Sequence, residues 1–242
     1  MDSDVLIISP HLDDAFFSLG GYLLKNRPAK KKIVDVFTTS RFAPRFKRYK
    51  LDIDQISLIR RREELKNASI VDTIVEFLNF PEAPLRGYTS AFDQPRWKEE
   101  AEMTEAIKSH LYQIIKDAKI VFFPLGIGMN VDHVILSRLG LEFLLEGQNQ
   151  IMFYEDLPYA AGFPRRFGLD SKLSRVHLKS ELVSIDAIGK LKLCLAYKSQ
   201  CLPYIPLQII MYSKLTRPLG GFYERIWSIT DLRVSRKLIE VS

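Results

Sequence analysis

Apolar residues along the chain fall into short runs separated by stretches with helical spacing. Residues 5–8, Val-Leu-Ile-Ile, form one such run and read as a strand. A helical pattern follows over residues 15–25. Residues 33–39 are rich in β-branched side chains after the basic turn Lys30-Lys31-Lys32, and predict a second strand. Residues 41–51 are basic and aromatic without a period, which predicts a loop. Asp54 is placed to cap a helix to about residue 69, with Ile56, Ile59 and Leu65 on one side. Residues 70–78 contain a candidate strand. Residues 80–97 hold Pro81, Pro84, Gly87 and Pro95 and predict a long loop.

The alternation continues with a helix over residues 99–117, on the spacing of Met103, Ile107, Leu111 and Ile115. A buried strand over 119–124, a glycine turn over 126–130, a helix over 131–146 and a strand over 151–154 complete the clear part. Residues 175–185 alternate in part, and Asp186 is placed to cap a helix carrying residues 190–200. Beyond Cys201 the pattern assigns no element. Alternating strands and helices imply an α/β fold, a mostly parallel sheet with helices on both faces. At 242 residues and 47% hydrophobic, the whole chain, 1–242, reads as a single domain.

Composition narrows the class. Cys194 and Cys201 form neither a C-x-x-C motif nor a disulfide framework. The formal net charge of +6 clusters between residues 41 and 62. It favours an anionic ligand such as a phosphate, a sugar nucleotide or a membrane headgroup, a solvated basic face being the simpler reading. Met-Asp-Ser-Asp leads straight into the first strand, so no signal peptide is expected. No apolar run reaches the ~20 residues of a membrane span. A cytoplasmic protein without a nucleic-acid partner is expected, and self-association stays open.

The candidate chemistry sits in Pro10-His11-Leu12-Asp13-Asp14, where the first strand turns into the first helix. Ligands bind at the carboxyl ends of strands in open α/β sheets. His11 and Asp14, three residues apart at such a place, can converge on one divalent metal. Asp13 lies between them and is available to take a proton from water. A third ligand must come from another strand end. Of the other histidines, His110 reads as a surface residue and His177 as structural. His133 alone shares the address of His11, in the first turn of a helix that follows a strand.

These residues resemble the PIG-L/LmbE-like family of zinc-dependent N-acetyl-sugar deacetylases. Pro10-His11-Leu12-Asp13-Asp14 is similar to the family's P-H-x-D-D, and Asn130-Val131-Asp132-His133 to its H-x-D-H. Arg61-Arg62-Glu63-Glu64-Leu65 is similar to R-x-x-E-L, and Tyr197-Lys198-Ser199-Gln200 to a late Y-x-S-Q. The resemblance implies a Rossmann-like sheet, with His11, Asp14 and His133 holding Zn2+ or another divalent metal. It implies Asp13 as general base towards a zinc-bound water, and Arg61 and Asn130 as substrate-binding residues. The implied substrate is a small acetylated amino sugar, such as an N-acetylglucosamine derivative, or a glycoconjugate. Gly20-Gly21 does not make G-x-G-x-x-G, so no dinucleotide is expected.

Two positions depart from the family pattern. Asn130 replaces the histidine that protonates the leaving amine, and Asp132 then has no histidine of that motif to orient. Ala15 stands where several members carry Glu. With no acid at position 130, Asp13 is expected to return the proton that it took. The alternative is a weak or inactive member that keeps the metal and binds a carbohydrate. Glu155, Asp156 and Tyr159 follow a strand and read equally as sugar contacts or as a solvated loop.

Overall fold

The computed structural model describes residues 3–27, 29–148, 151–162, 178–217 and 219–229. The strands are β1 (Ser3–Ser9), β2 (Lys31–Asp35), β3 (Thr73–Phe77), β4 (Ala118–Pro124), β5 (Ile151–Tyr154), β6 (Leu178–Ile185) and β7 (Phe222–Ile229). The longer helices are α1 (Asp14–Lys25), α2 (Ile53–Val71), α3 (Trp97–Ile115), α4 (Val131–Leu145), α5 (Ala187–Ala196) and α6 (Tyr204–Leu215). Among the described residues they build a seven-stranded sheet in the order β3-β2-β1-β4-β5-β7-β6.

The stretch β3-β2-β1-β4-β5 is parallel throughout, and β7 and β6 add an antiparallel edge. From β1 the chain winds outward through β2 and β3, then returns to the far side of β1 as β4. The reversal opens a crevice at the carboxyl ends of β1 and β4, the place where such sheets bind ligands.

β1 shows how the apolar run serves two faces. Val5 and Ile7 pack into a cluster with α1, Ala68 and Val71 of α2, Leu193 of α5 and Ile209 of α6. Leu6 and Ile8 face the other way, into Ile107 and Leu111 of α3 and Ile135, Leu139 and Phe143 of α4. Both faces are covered, so β1 needs no polar alternation.

Several expected boundaries shift for local reasons. β2 ends at Asp35, and beyond it Thr38 and Thr39 turn their hydroxyls to Asn79. α2 is capped by Asp52 rather than Asp54, through a capping box with Gln55. Its inner side carries Ile56, Ser57, Arg60, Glu64 and Asn67, while Leu65 is exposed. Arg60 of that side reaches the cavity, while Ser57, Glu64 and Asn67 bond to Ser40, Tyr197 and the Leu193 carbonyl. Residues 41–51 contain the 3-10 helix Pro44–Tyr49. α5 ends at Ala196, before the Tyr197–Gln200 motif. The unassigned stretch after Cys201 supplies α6 and β7.

Gly20-Gly21 serves packing. A β-carbon on Gly21 would collide with the Ile185 side chain. The amides of Gly21 and Tyr22 donate to the two Glu224 carboxylate oxygens, each at 2.7 Å. Lys190 Nζ donates to the same buried carboxylate at 2.6 Å, so that ion pair is hydrogen-bonded from both sides. Among the described residues no helix is long and apolar enough to cross a membrane.

Candidate metal centre

The turn after β1 is built to aim side chains inward. Ser9 Oγ donates to the His11 carbonyl at 2.8 Å and accepts from the Ala15 amide at 3.3 Å. The His11 amide donates to Asp14 Oδ2 at 3.0 Å, which folds Asp14 back over the turn. Asp13 takes φ 147°, ψ −30°, a region that L-residues rarely adopt. Such strain costs ~1–3 kcal/mol and persists where the surroundings enforce it, typically at functional sites.

This turn meets the start of α4, whose first residues follow the carboxyl end of β4. His11 Nδ1 lies 3.0 Å from Asp14 Oδ2, and His133 Nε2 lies 3.1 Å from the same oxygen. The two imidazole nitrogens are 3.3 Å apart. All three residues are buried. A tetrahedral ion with bonds of ~2.0–2.1 Å separates neighbouring ligand atoms by ~3.3–3.4 Å. The three donors, two nitrogens and one carboxylate oxygen, therefore fit a divalent ion that keeps a further position open.

Each imidazole is held from behind by a second carboxylate. His11 Nε2 donates to Asp132 Oδ2 at 2.9 Å, and that oxygen also accepts the Ala83 amide at 3.0 Å. Asp132 Oδ1 pairs with Arg86 Nη2 at 2.8 Å. His133 Nδ1 donates to Asp156 Oδ1 at 2.5 Å, and Asp156 Oδ2 accepts from the Ile127 amide at 2.8 Å. Carboxylate–histidine pairs of this kind fix the ring orientation and leave the other nitrogen for a metal. Asp132, left without a partner in the sequence reading, orients His11. Burial pulls the His11 pKa down, but hydrogen bonds to Asp132 and Asp14 outweigh it and raise it to about 9. For His133 burial is likewise outweighed, by the Asp14 charge and by bonds to Asp14 and Asp156, giving about 10. Burial opposes ionisation of Asp14, but the two imidazoles hold its carboxyl below the usual range.

A cavity of about 300 Å³ opens over this cluster. His11, Asp13, Asp14 and Asn130 line it, whereas His133 lies wholly beneath the surface. Asn130 caps α4, its Oδ1 accepting the Asp132 amide at 3.0 Å, with its Nδ2 3.5 Å from the Tyr159 hydroxyl. Tyr159 lines the wall and stands edge-on to the His133 ring at 5.3 Å. Arg61 does not line the cavity: it donates to Asn79 Oδ1 at 2.6 Å and lies over the Phe77 ring. Its neighbour Arg60 does, buried 3.7 Å from Asp13 Oδ1 and 3.5 Å from Glu82 Oε1.

The remaining candidates separate cleanly. His110 bonds Glu76 on the surface, and His177 lies outside the described residues. Glu155 is buried and accepts from Tyr212 and Trp227, so it is neither a sugar contact nor a solvated loop residue. Ser199 and Tyr197 donate to Glu63 and Glu64, each at 2.6 Å, so the R-x-x-E-L and Y-x-S-Q segments bond to each other. Sequence reasoning missed Arg60, Arg86 and the orienting role of Asp156. Only Asp156 carried a signal, since it follows β5 as His11 follows β1.

Asp132→Asn tests the support behind His11. It removes the charge that pairs with Arg86 and strengthens the imidazole. Metal affinity is expected to fall ~10–100-fold, read by competition with a chromogenic chelator. Unchanged affinity would mean that His11 is oriented by something else.

Comparison with known proteins agrees with this architecture. The family model for GlcNAc-PI de-N-acetylase matches residues 6–144. The 2'-N-acetylparomamine deacetylase of Streptomyces fradiae is 32% identical over 160 residues, covering 64% of this chain and 57% of that relative. A deacetylase of the teicoplanin biosynthesis pathway, solved as its bog complex, superposes with a TM-score of 0.72 at 20% identity, over 92% of this chain and 96% of that one. The zinc-inhibited form of teicoplanin deacetylase Orf2 gives 0.69 at 20% identity, over 92% and 96%. The family match spans more than half of the chain and includes both segments that build the cluster, and on that ground the chain belongs to the PIG-L family of GlcNAc-PI de-N-acetylases.

Proposed function

We propose that this protein is a metal-dependent hydrolase that removes the N-acetyl group from an acetylated amino sugar or sugar conjugate. The observation that carries the proposal is the convergence of His11, Asp14 and His133 at the floor of a cavity that also presents Asp13. The similarity to a 2'-N-acetylparomamine deacetylase supports the substrate class. His11, Asp14 and His133 would hold the ion, zinc or another divalent metal. When bound there, the ion would acidify water and polarise the amide carbonyl.

The chain's own groups account for the proton movements. Asp13 accepts a proton from the attacking water as oxygen adds to the acetyl carbonyl carbon. The carbon–nitrogen bond then breaks, and Asp13 returns that proton to the leaving amine, so acetate and the free amino sugar depart. Asn130 has no proton of suitable pKa to give; its amide is a hydrogen-bond donor towards the substrate. Burial raises the Tyr159 pKa further, so its phenol stays protonated and donates towards the developing oxyanion. Arg60 holds the Asp13 carboxylate and faces the same cavity.

Acetate release from a panel of acetamido sugars and aminoglycoside acetamides, with the protein loaded in turn with zinc and other divalent ions, tests the reading. Turnover on at least one is expected. Binding of these sugars without acetate release by any metal-loaded form would defeat it.

A further inference from the structure

The segment between β3 and α3 supplies a wall of the cavity, lined by Glu82, Pro84, Ala91 and Phe92. It contains the short 3-10 helix Ala83–Arg86. Two bonds tie it to the start of α4. The Ala83 amide donates to Asp132 Oδ2 at 3.0 Å, the oxygen that also accepts from His11 Nε2 at 2.9 Å. The Val131 amide donates to the Ala91 carbonyl at 2.8 Å. One carboxylate oxygen thus serves both the cavity wall and an imidazole of the converging cluster.

Arg86 sets where that carboxylate stands. Its Nη2 pairs with Asp132 Oδ1 at 2.8 Å. Its Nε donates to both oxygens of the buried Glu100, at 3.0 and 3.1 Å, and its Nη1 donates to the Pro81 carbonyl at 2.6 Å. The guanidinium lies over the Phe37 ring at 4.9 Å, and that ring stands 6.3 Å from the His11 ring. The Arg86 carbonyl accepts from Arg96 Nη2 at 2.9 Å. A planar fork addresses several partners at fixed angles, whereas a lysine ammonium is a point charge. Charge alone does not account for Arg86, because a cation beside Asp132 repels an incoming ion. What the fork adds is placement, of Asp132 and of the wall at once.

We infer that Arg86, braced by Glu100, is a positioning residue that couples the ion site to the cavity wall. It fixes Asp132 so that one oxygen orients His11 and anchors Ala83 together. The wall therefore tightens when the ion binds, and, because such coupling is reciprocal, a loosened wall weakens the ion. The inference rests on the metal-binding part of the proposed function and is read without turnover.

The test uses zinc and the full chain. Affinity is read by competition with a chromogenic chelator, and the wall by amide hydrogen exchange of segment 82–92 with and without zinc. Zinc is expected to slow exchange there ~5-fold or more. Arg86→Lys keeps the charge and loses the fork. It is expected to bind zinc ~10-fold more weakly, with most of the slowing gone. Glu100→Gln leaves Arg86 in place and removes the charge behind it. A loss of ~3-fold or more is expected, and this variant decides the matter if Arg86→Lys does not fold. Leu111→Ala opens a cavity in the core beneath the helix that carries Glu100. It is expected to lower Tm and to leave both readouts unchanged. Wild-type affinity in Arg86→Lys, or exchange of 82–92 indifferent to zinc, overturns the inference. So does a matching loss in Leu111→Ala, which would assign both effects to general loosening. A chain that takes up no zinc would sink the ion site and this coupling with it. Intact coupling without acetate release from any acetamido sugar would sink only the hydrolase reading.

Discussion

Replacing Asp13 with asparagine is expected to lower kcat by ~10²–10⁴-fold, the usual worth of a general base, with metal uptake within a few-fold of wild type. Asp13 lines the cavity beside the three converging donors without being one of them. Burial and the neighbouring Asp14 charge push its pKa up to about 7, against the pull of Arg60. A group with that value both takes and returns a proton near neutrality. Catalysis starts from the ionised form, so kcat/KM is expected to rise with pH up to about 7 and then level off. A bound cation favours the ionised form and moves that limb lower. The asparagine variant is expected to lose the limb altogether. Asn130→His adds a titratable group at ~6.5 and is expected to raise the rate several-fold by protonating the amine. Near-normal turnover by metal-loaded Asp13→Asn would remove Asp13 from the mechanism.

Chelation is expected to abolish turnover, and a divalent ion to restore it. The metal-free cluster is not idle, since His11 and His133 retain protons up to about 9 and about 10. Both values lie above the ordinary 6.5, so proton binding favours the metal-free fold. That contribution is complete below pH 6.5 and is lost as pH rises through 9 to 10. An incoming ion must displace those protons. Apparent affinity is therefore expected to climb as pH rises towards that range, with up to about two protons released per ion. Calorimetry in two buffers of different ionisation enthalpy reads the release directly. His133→Ala removes one donor, leaves Asp156 without its buried counter-charge and leaves Asp14 with His11 alone. It is expected to destabilise the metal-free fold by ~3–5 kcal/mol and to lose the ion on dialysis. Uptake indifferent to pH, or turnover that survives complete chelation, would sink the metal site.

Much of the cluster was legible because its parts are local. The apolar run, the His-x-Asp-Asp turn and the helix after it lie within about twenty residues, and hydrophobic periodicity places each one. The second histidine was legible by its address, one turn past the end of β4. Arg61 against Arg60 was not, because which arginine of three consecutive ones turns inward depends on the rotation of α2. The capping box at Asp52 and the packing of Ala68 and Val71 on β1 set that rotation. α6 escaped notice because its outer face is as apolar as its inner one, which erases the period. The antiparallel β6–β7 edge escaped because strand direction is a property of connections in space.

The sequence by itself determined the class of fold, the turn that carries His11, Asp13 and Asp14, and the second segment that completes the cluster. Those follow from residue type and spacing along a few turns of chain. Only the tertiary structure decided what stands behind the ligands and around them. Asp132 reaches His11 across 121 residues, Asp156 reaches His133 from just past β5, and Arg86 closes on Asp132 from the 3-10 helix Ala83–Arg86, in a stretch with no periodic signal. Such partners are chosen by where the sheet sets strand ends side by side, and the order of strands is not written in any one segment.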